Sequence, residues 1–137
     1  MARFDIIEHT ADTGIKAYGA TLEEAFANAA YGMFTLIADP ETVRETLSRE
    51  INVEADDREA LLVAWLNELL YVLDVEQLVF KRFTVLDLND THLSAEAHGE
   101  PIDTRRHVLR PGVKAATFYM LRIDESDGVS VQVILDT

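Results

Sequence analysis

The stretch Asp57-Arg58-Glu59-Ala60-Leu61-Leu62-Val63-Ala64-Trp65-Leu66-Asn67-Glu68-Leu69-Leu70-Tyr71-Val72-Leu73-Asp74 decides the fold class. Asp56 to Glu59 reads as a helix start, with acids where the free N–H groups lie. Leu61, Leu62, Trp65, Leu66, Leu69, Leu70 and Leu73 then recur at helical spacing. The polar stripe is thin: Asn67, Glu68, Tyr71 and Asp74. A helix this apolar cannot lie on a surface, so the pattern predicts a central helix over about 57–75, covered on most sides.

Upstream, Thr21-Leu22-Glu23-Glu24 forms a capping box. Leu22, Ala25, Phe26, Ala29, Ala30, Met33, Phe34 and Ile37 follow at helical spacing, and Asp39-Pro40 stops the run. This predicts a helix over about 21–38. Before it, Phe4 to Glu8 and Gly14 to Gly19 read as strands flanking a polar turn. Glu50 to Ala55 alternates as a half-buried strand. Downstream, Leu78 to Leu88, Leu93 to His98, Val113 to Ile123 and Val129 to Leu135 carry strand composition. Asp124 to Gly128 reads as a hairpin turn, and Glu100 to Gly112 as a longer polar loop. Strand–helix order occurs twice, but the residues do not repeat. The reading is α+β: two helices packed on mostly antiparallel sheet, in one domain over residues 1–137.

Composition narrows the function. The chain carries 25 Asp and Glu against 12 Lys and Arg, a formal net charge of −13, and no cysteine. Disulfides, thiol nucleophiles and thiolate metal sites are excluded. A phosphate backbone is repelled by most of such a surface, so strong unaided nucleic-acid binding is not expected. A cation or another protein is the partner that the charge favours. No apolar run is long enough to span a membrane, and no charged-then-apolar leader precedes the first strand. A cytoplasmic location is the expectation. There is no glycine-rich phosphate loop and no Gly-x-Ser-x-Gly elbow. The histidines at 9, 92, 98 and 107 never fall at i, i+4 spacing. A hydrolase acting alone lacks its nucleophile or histidine cluster.

Candidate site residues remain. Asp12, in the turn after His9, reads either as a backbone cap, the commoner role of a turn aspartate, or as a cation ligand. His9 has the same two readings. Asp136 closes an alternating strand, and Thr137 follows as the last residue with further oxygens. Such carboxylates suit a hard cation such as calcium or magnesium; the alternative is a solvated chain end. Lys114 reads as an exposed strand lysine or as one that guards a sheet edge. Glu100 and Asp103 fall in the adjoining loop.

Taken in order, these segments resemble the archease family. The likeness begins at Glu8-His9-Thr10-Ala11-Asp12-Thr13-Gly14-Ile15 and runs through Thr21 to Phe26, Met33-Phe34 and Asp39. It continues over Leu62 to Tyr71, Gly99-Glu100, Asp103, His107 and Val113-Lys114-Ala115-Ala116-Thr117. It closes at Val133-Ile134-Leu135-Asp136.

The resemblance implies an accessory protein of the RtcB-type RNA ligase, in tRNA splicing and RNA repair. Such a protein promotes guanylylation and multiple turnover of the ligase and is not itself an enzyme. It also implies a divalent metal ion, calcium foremost, held by Asp12, Asp136 and the main-chain oxygen of Thr137. Lys114 matches the family's activating lysine. His9, Glu100, Asp103 and His107 are further candidates for the same face. The family's other assigned role is chaperone of an RNA-modifying, tRNA cytosine methyltransferase. Two positions depart from the pattern: Asp136-Thr137 replaces a common Asp-Ile ending, and Phe118-Tyr119 replaces a common Tyr-His pair.

Overall fold

The computed structural model describes residues 3–9, 12–110 and 112–137, with the main chain only of His9. These residues form β1 (Phe4–His9), β2 (Asp12–Gly19), α1 (Leu22–Ile37), β3 (Leu47–Glu54), α2 (Arg58–Tyr71), β4 (Leu78–Leu88), β5 (His92–Pro101), β6 (Ala115–Asp124) and β7 (Val129–Asp136). The caps are those the sequence supplies. Thr21 Oγ1 accepts from Glu24 N–H at 3.2 Å, and Asp57 accepts from Ala60 N–H at 2.8 Å. After Ala38, Asp39 starts a short 3₁₀ turn over Pro40–Thr42.

The strands make two antiparallel sheets, in the orders β1-β2-β7-β6 and β3-β5-β4. The helices lie between them. Helix α1 packs on β2 and β7 of the first sheet and on β4 of the second, while α2 packs on β6 of the first and β3 of the second. The expected antiparallel packing is present, divided into two sheets, and the reason is energetic. Leu61, Leu62, Val63, Trp65, Leu66, Leu69 and Leu70 of α2 are all buried. Leaving them in water would cost on the order of 10–15 kcal/mol, as much as the net stability of a typical domain. A single sheet covers only one side of a helix, so the second sheet covers the other. Trp65, fully buried, joins the helices by donating from Nε1 to the Phe26 carbonyl at 3.0 Å. Among the described residues, no helix is long and apolar enough to cross a membrane.

Helix α2 ends in a π-helical turn, Val72–Glu76, closed by Gln77 in the left-handed region at φ 57°. Gln77 Nε2 donates to the Asp74 carbonyl at 2.7 Å, satisfying a helix-end acceptor. The described residues between Ile102 and Lys114 then cross the C-terminal ends of both helices. Ile102 N–H donates to the Gln77 carbonyl at 2.9 Å, and Arg110 N–H to the Ile37 carbonyl at 2.8 Å. The Arg110 guanidinium also donates to the Thr35 carbonyl at 2.6 Å. Helix α1 has no basic residue in its last turn, so Arg110 supplies from outside the cation that a helix C-terminus favours.

Candidate functional site

Register brings the two candidate aspartates together. In the first sheet β7 lies between β2 and β6. Thr13 pairs with Leu135 and Gly14 with Ile134. Continued by one residue, this register sets Asp12 opposite Asp136, where antiparallel partners have Cα atoms roughly 4.5–5.5 Å apart. Ile15, Ala17, Val131, Val133 and Leu135 are buried toward the helices. Alternation therefore turns Asp12 and Asp136 to the opposite face of the sheet. On its other side Asp136 pairs with Ala115, and its carbonyl accepts from Lys114 N–H at 2.8 Å. Asp12, Asp136 and Lys114 share one corner of the fold.

Gly14 makes that corner possible by its lack of volume. A Cβ there would stand 2.8 Å from Ile134 Cδ1 and 3.3 Å from Ile7 Cβ. Ile134 lies across Gly14, beside Asp136.

The Lys114 side chain is placed differently. Lys114 precedes β6 rather than lying within it, and it is exposed. With Asn67, Leu70, Tyr71, Leu73 and Asp74 it lines a cleft of about 520 Å³ beside α2. The strand that follows it, β6, has a neighbour on one side only.

Glu100, Asp103 and His107 form a separate arrangement, in which Glu100 and His107 are buried and Asp103 is half-buried. Glu100 is not in a loop: it lies within β5 and is 4% exposed. Its Oε2 accepts from Arg44 N–H at 2.6 Å, Arg106 Nη1 at 2.6 Å and His107 Nε2 at 2.9 Å. Its Oε1 accepts from Arg106 Nη2 at 2.8 Å. A buried carboxylate needs such donors. The Arg106 guanidinium foremost, with the Arg44 N–H and His107, holds the Glu100 carboxyl down at about 2, against the opposing effect of burial. Asp103 N–H donates to His107 Nδ1 at 2.9 Å, so the ring proton sits on Nε2 and points at Glu100. These groups tie the end of β5 to the segment that carries Lys114. All the acceptor positions used here are engaged internally.

Thr10 and Ala11 lie outside the described residues, as does the His9 side chain; the His9 main chain pairs with Asp12. Among the described residues, no group of three or more His, Cys, Asp or Glu is placed to hold a metal ion. Among the described residues, the donors at the corner are two carboxylates with main-chain oxygens. That set is all hard oxygen and fits calcium or magnesium, which accept carbonyls and water to complete their shells.

Sequence reading missed Asn67 and the β6 bulge. Asn67 stood in the thin polar stripe of α2; its amide bonds both main-chain groups of Ala116, two residues from Lys114. In β6 the pairing jumps from Thr117–Ile134 to Arg122–Gln132, so Phe118 to Leu121 bulge from the ladder. Met120 takes a positive φ of 53°. An unpaired polar residue on an apolar helix was the available signal for the first; the second had none.

Comparison with known proteins matches this architecture. The model of the archease protein family matches residues 4–137. The archease of Methanothermobacter thermautotrophicus is 41% identical, over 99% of each chain. That of Methanosarcina barkeri is 37% identical, over 98% of this chain and 95% of its own. The solution structure of Methanobacterium thermoautotrophicum protein 1598 superposes with a TM-score of 0.85 at 40% identity, covering both chains fully. A Thermotoga maritima archease, described as a possible chaperone, shares the fold at a TM-score of 0.57 and 19% identity, over 96% of this chain and 94% of its own. A family match from residue 4 to residue 137, with relatives near 40% identical over almost the whole chain, means that this chain belongs to the archease family.

Proposed function

We propose that this protein is a non-catalytic activator of an RtcB-type RNA ligase, acting in tRNA splicing and RNA repair through the Asp12–Asp136 corner. The observation that carries the reading is the β2–β7–β6 register, which gathers Asp12, Asp136 and Lys114 from three distant parts of the chain. Asp12, Asp136 and the Thr137 main-chain oxygen would hold a divalent ion, calcium foremost. Such an ion supplies concentrated positive charge for phosphate or carboxylate oxygens. Asp12 and Asp136 offer it from the outer sheet face. Lys114 presents an exposed ammonium from the same corner, on the cleft side, to a phosphate of the nucleotide. The partner ligase supplies the reacting atoms. This chain orients them, which agrees with the lack of a nucleophile–base pair in its sequence.

Single-turnover guanylylation of the ligase tests the proposal. Asp12→Ala, Asp136→Ala and Lys114→Ala should each slow it by roughly tenfold or more, the scale of a lost charged contact. Unchanged rates with all three variants sink the proposal.

A second reading, chaperone of a tRNA cytosine methyltransferase, draws on the exposed Phe118, Tyr119 and Met120. Suppression of methyltransferase light scattering that survives Asp12→Ala and fails in Phe118→Ser favours it over activation.

A further inference from the structure

Lys114 is placed by its main chain. Among the described residues its ammonium forms no ion pair, not even with Asp74, which lines the same cleft. The backbone that carries the side chain therefore sets where it goes. That backbone leads into β6, a strand at the edge of its sheet, and strand ends at an edge open most easily. One side of it is secured by β7: Lys114 N–H donates to the Asp136 carbonyl, and Ala115 pairs with Asp136. On the other side no strand follows. Alternate residues of an edge strand turn their N–H and C=O groups to that open side. Ala116 is such a residue.

Asn67 closes the open side at this one point, because its amide bonds both main-chain groups of Ala116. A carboxamide offers a donor and an acceptor side by side, the pair that a residue of a neighbouring strand would offer. An apolar side chain offers neither. The helix does not need the amide for its own anchorage, since Trp65, Leu66, Leu69 and Leu70 around it are buried. What the amide adds is local. It fixes the spacing between α2 and the start of β6, and that gap is the cleft whose lining includes both Asn67 and Lys114. Residues two apart in an extended chain face the same way. Ala116 is buried, and Lys114 continues the same side into the cleft.

We infer that Asn67 is a positioning residue for Lys114. It stands in for the missing neighbour strand and keeps the start of β6 from fraying, so that the ammonium is delivered at a fixed offset from Asp136. Asn67 itself touches no reacting group, because its polar atoms are turned to Ala116. The inference rests on the reading of Lys114 as the activating cation.

A double-substitution cycle in single-turnover guanylylation of the ligase tests it, with the whole protein at saturation and at a temperature where circular dichroism shows every variant folded. Asn67→Leu keeps the bulk of the side chain and removes both hydrogen bonds; it should slow the reaction by roughly fivefold. In a Lys114→Ala background the same substitution should cost less than about twofold, because a residue that acts through Lys114 then has nothing left to place. A merely structural loss would multiply the two effects. Without ligase, hydrogen exchange at the Lys114 amide should accelerate in Asn67→Leu, while exchange at Ile51 in the second sheet stays unchanged. Guanylylation or Lys114 exchange at the parent rate in Asn67→Leu overturns the inference, as does a fivefold loss that persists in the Lys114→Ala background. A Lys114→Ala protein that activates fully sinks the activator reading instead, and the inference falls with it.

Discussion

Asn67 and Ala116 are joined by two hydrogen bonds: Ala116 N–H donates to Asn67 Oδ1 at 2.7 Å, and Asn67 Nδ2 donates to the Ala116 carbonyl at 3.4 Å. A helix side chain occupies the open side of the edge strand β6, where another strand would otherwise pair. Asn67→Ala leaves both main-chain groups without that partner and should destabilise the fold by about 1–2 kcal/mol. Hydrogen exchange at the Ala116 amide should accelerate. An unchanged rate would show that another interaction holds the start of β6.

Glu100 should make stability fall in acid. Its carboxyl is held at about 2, below the ordinary 4.5, so its contribution is complete above about 4.5 and fades as pH drops toward 2. Across that window the loss should reach up to about 3 kcal/mol. Urea midpoints measured through the window reveal it as a slope. Glu100→Gln should flatten the slope. At neutral pH the same substitution should lower the melting temperature by about 10 °C.

The two sheets respond differently to an added methyl group. At Gly99 a Cβ would stand 1.9 Å from the Val79 carbonyl oxygen and 2.7 Å from Phe80 Cα, both main chain. Gly99→Ala must push β4 and β5 apart and should cost more than about 3 kcal/mol. At Gly14 the nearest atom is the far end of the Ile134 side chain, which can turn away. Gly14→Ala should cost about 1 kcal/mol and loosen the strand ends beside Asp12. Thermal melts of the two variants check the order; a milder effect at Gly99 would contradict the packing described.

Calcium binding and activation should separate. Saturating calcium should raise the melting temperature of the parent protein, by linkage worth about 2.7 kcal/mol at a hundredfold excess over Kd. Asp12→Asn and Asp136→Asn should each abolish that rise. Lys114→Ala should retain it and still fail to activate the ligase. Loss of the calcium response in Lys114→Ala would place the lysine at the ion rather than at the nucleotide.

Much of the fold was legible because it is local. Thr21 and Asp57 cap where expected, and α1 ends one residue inside its expected limit. The expected end of α2 near residue 75 holds only if the π-helical turn through Glu76 is counted. Apolarity on both sides of α2 implied its central place but not how many sheets would cover it. The pairing of β2 with β7 joins residues more than a hundred positions apart, and no periodicity encodes such a partner. Asp12 beside Asp136 came from family likeness in the sequence and from register in the structure. Glu100 was misplaced for another reason. A glutamate beside a glycine and a proline suggests a solvated loop, and only distant donors at Arg44, Arg106 and His107 allow it to be buried.

The position of β7 has a consequence for synthesis. Residues 129–136 fill the gap between β2 and β6, so the first sheet is in two pieces until they arrive. A nascent chain that has already formed both helices and the whole β3-β5-β4 sheet still has no Asp12–Asp136 corner. The corner is completed only when translation has passed residue 136, so a chain stalled or cut short of β7 cannot present it.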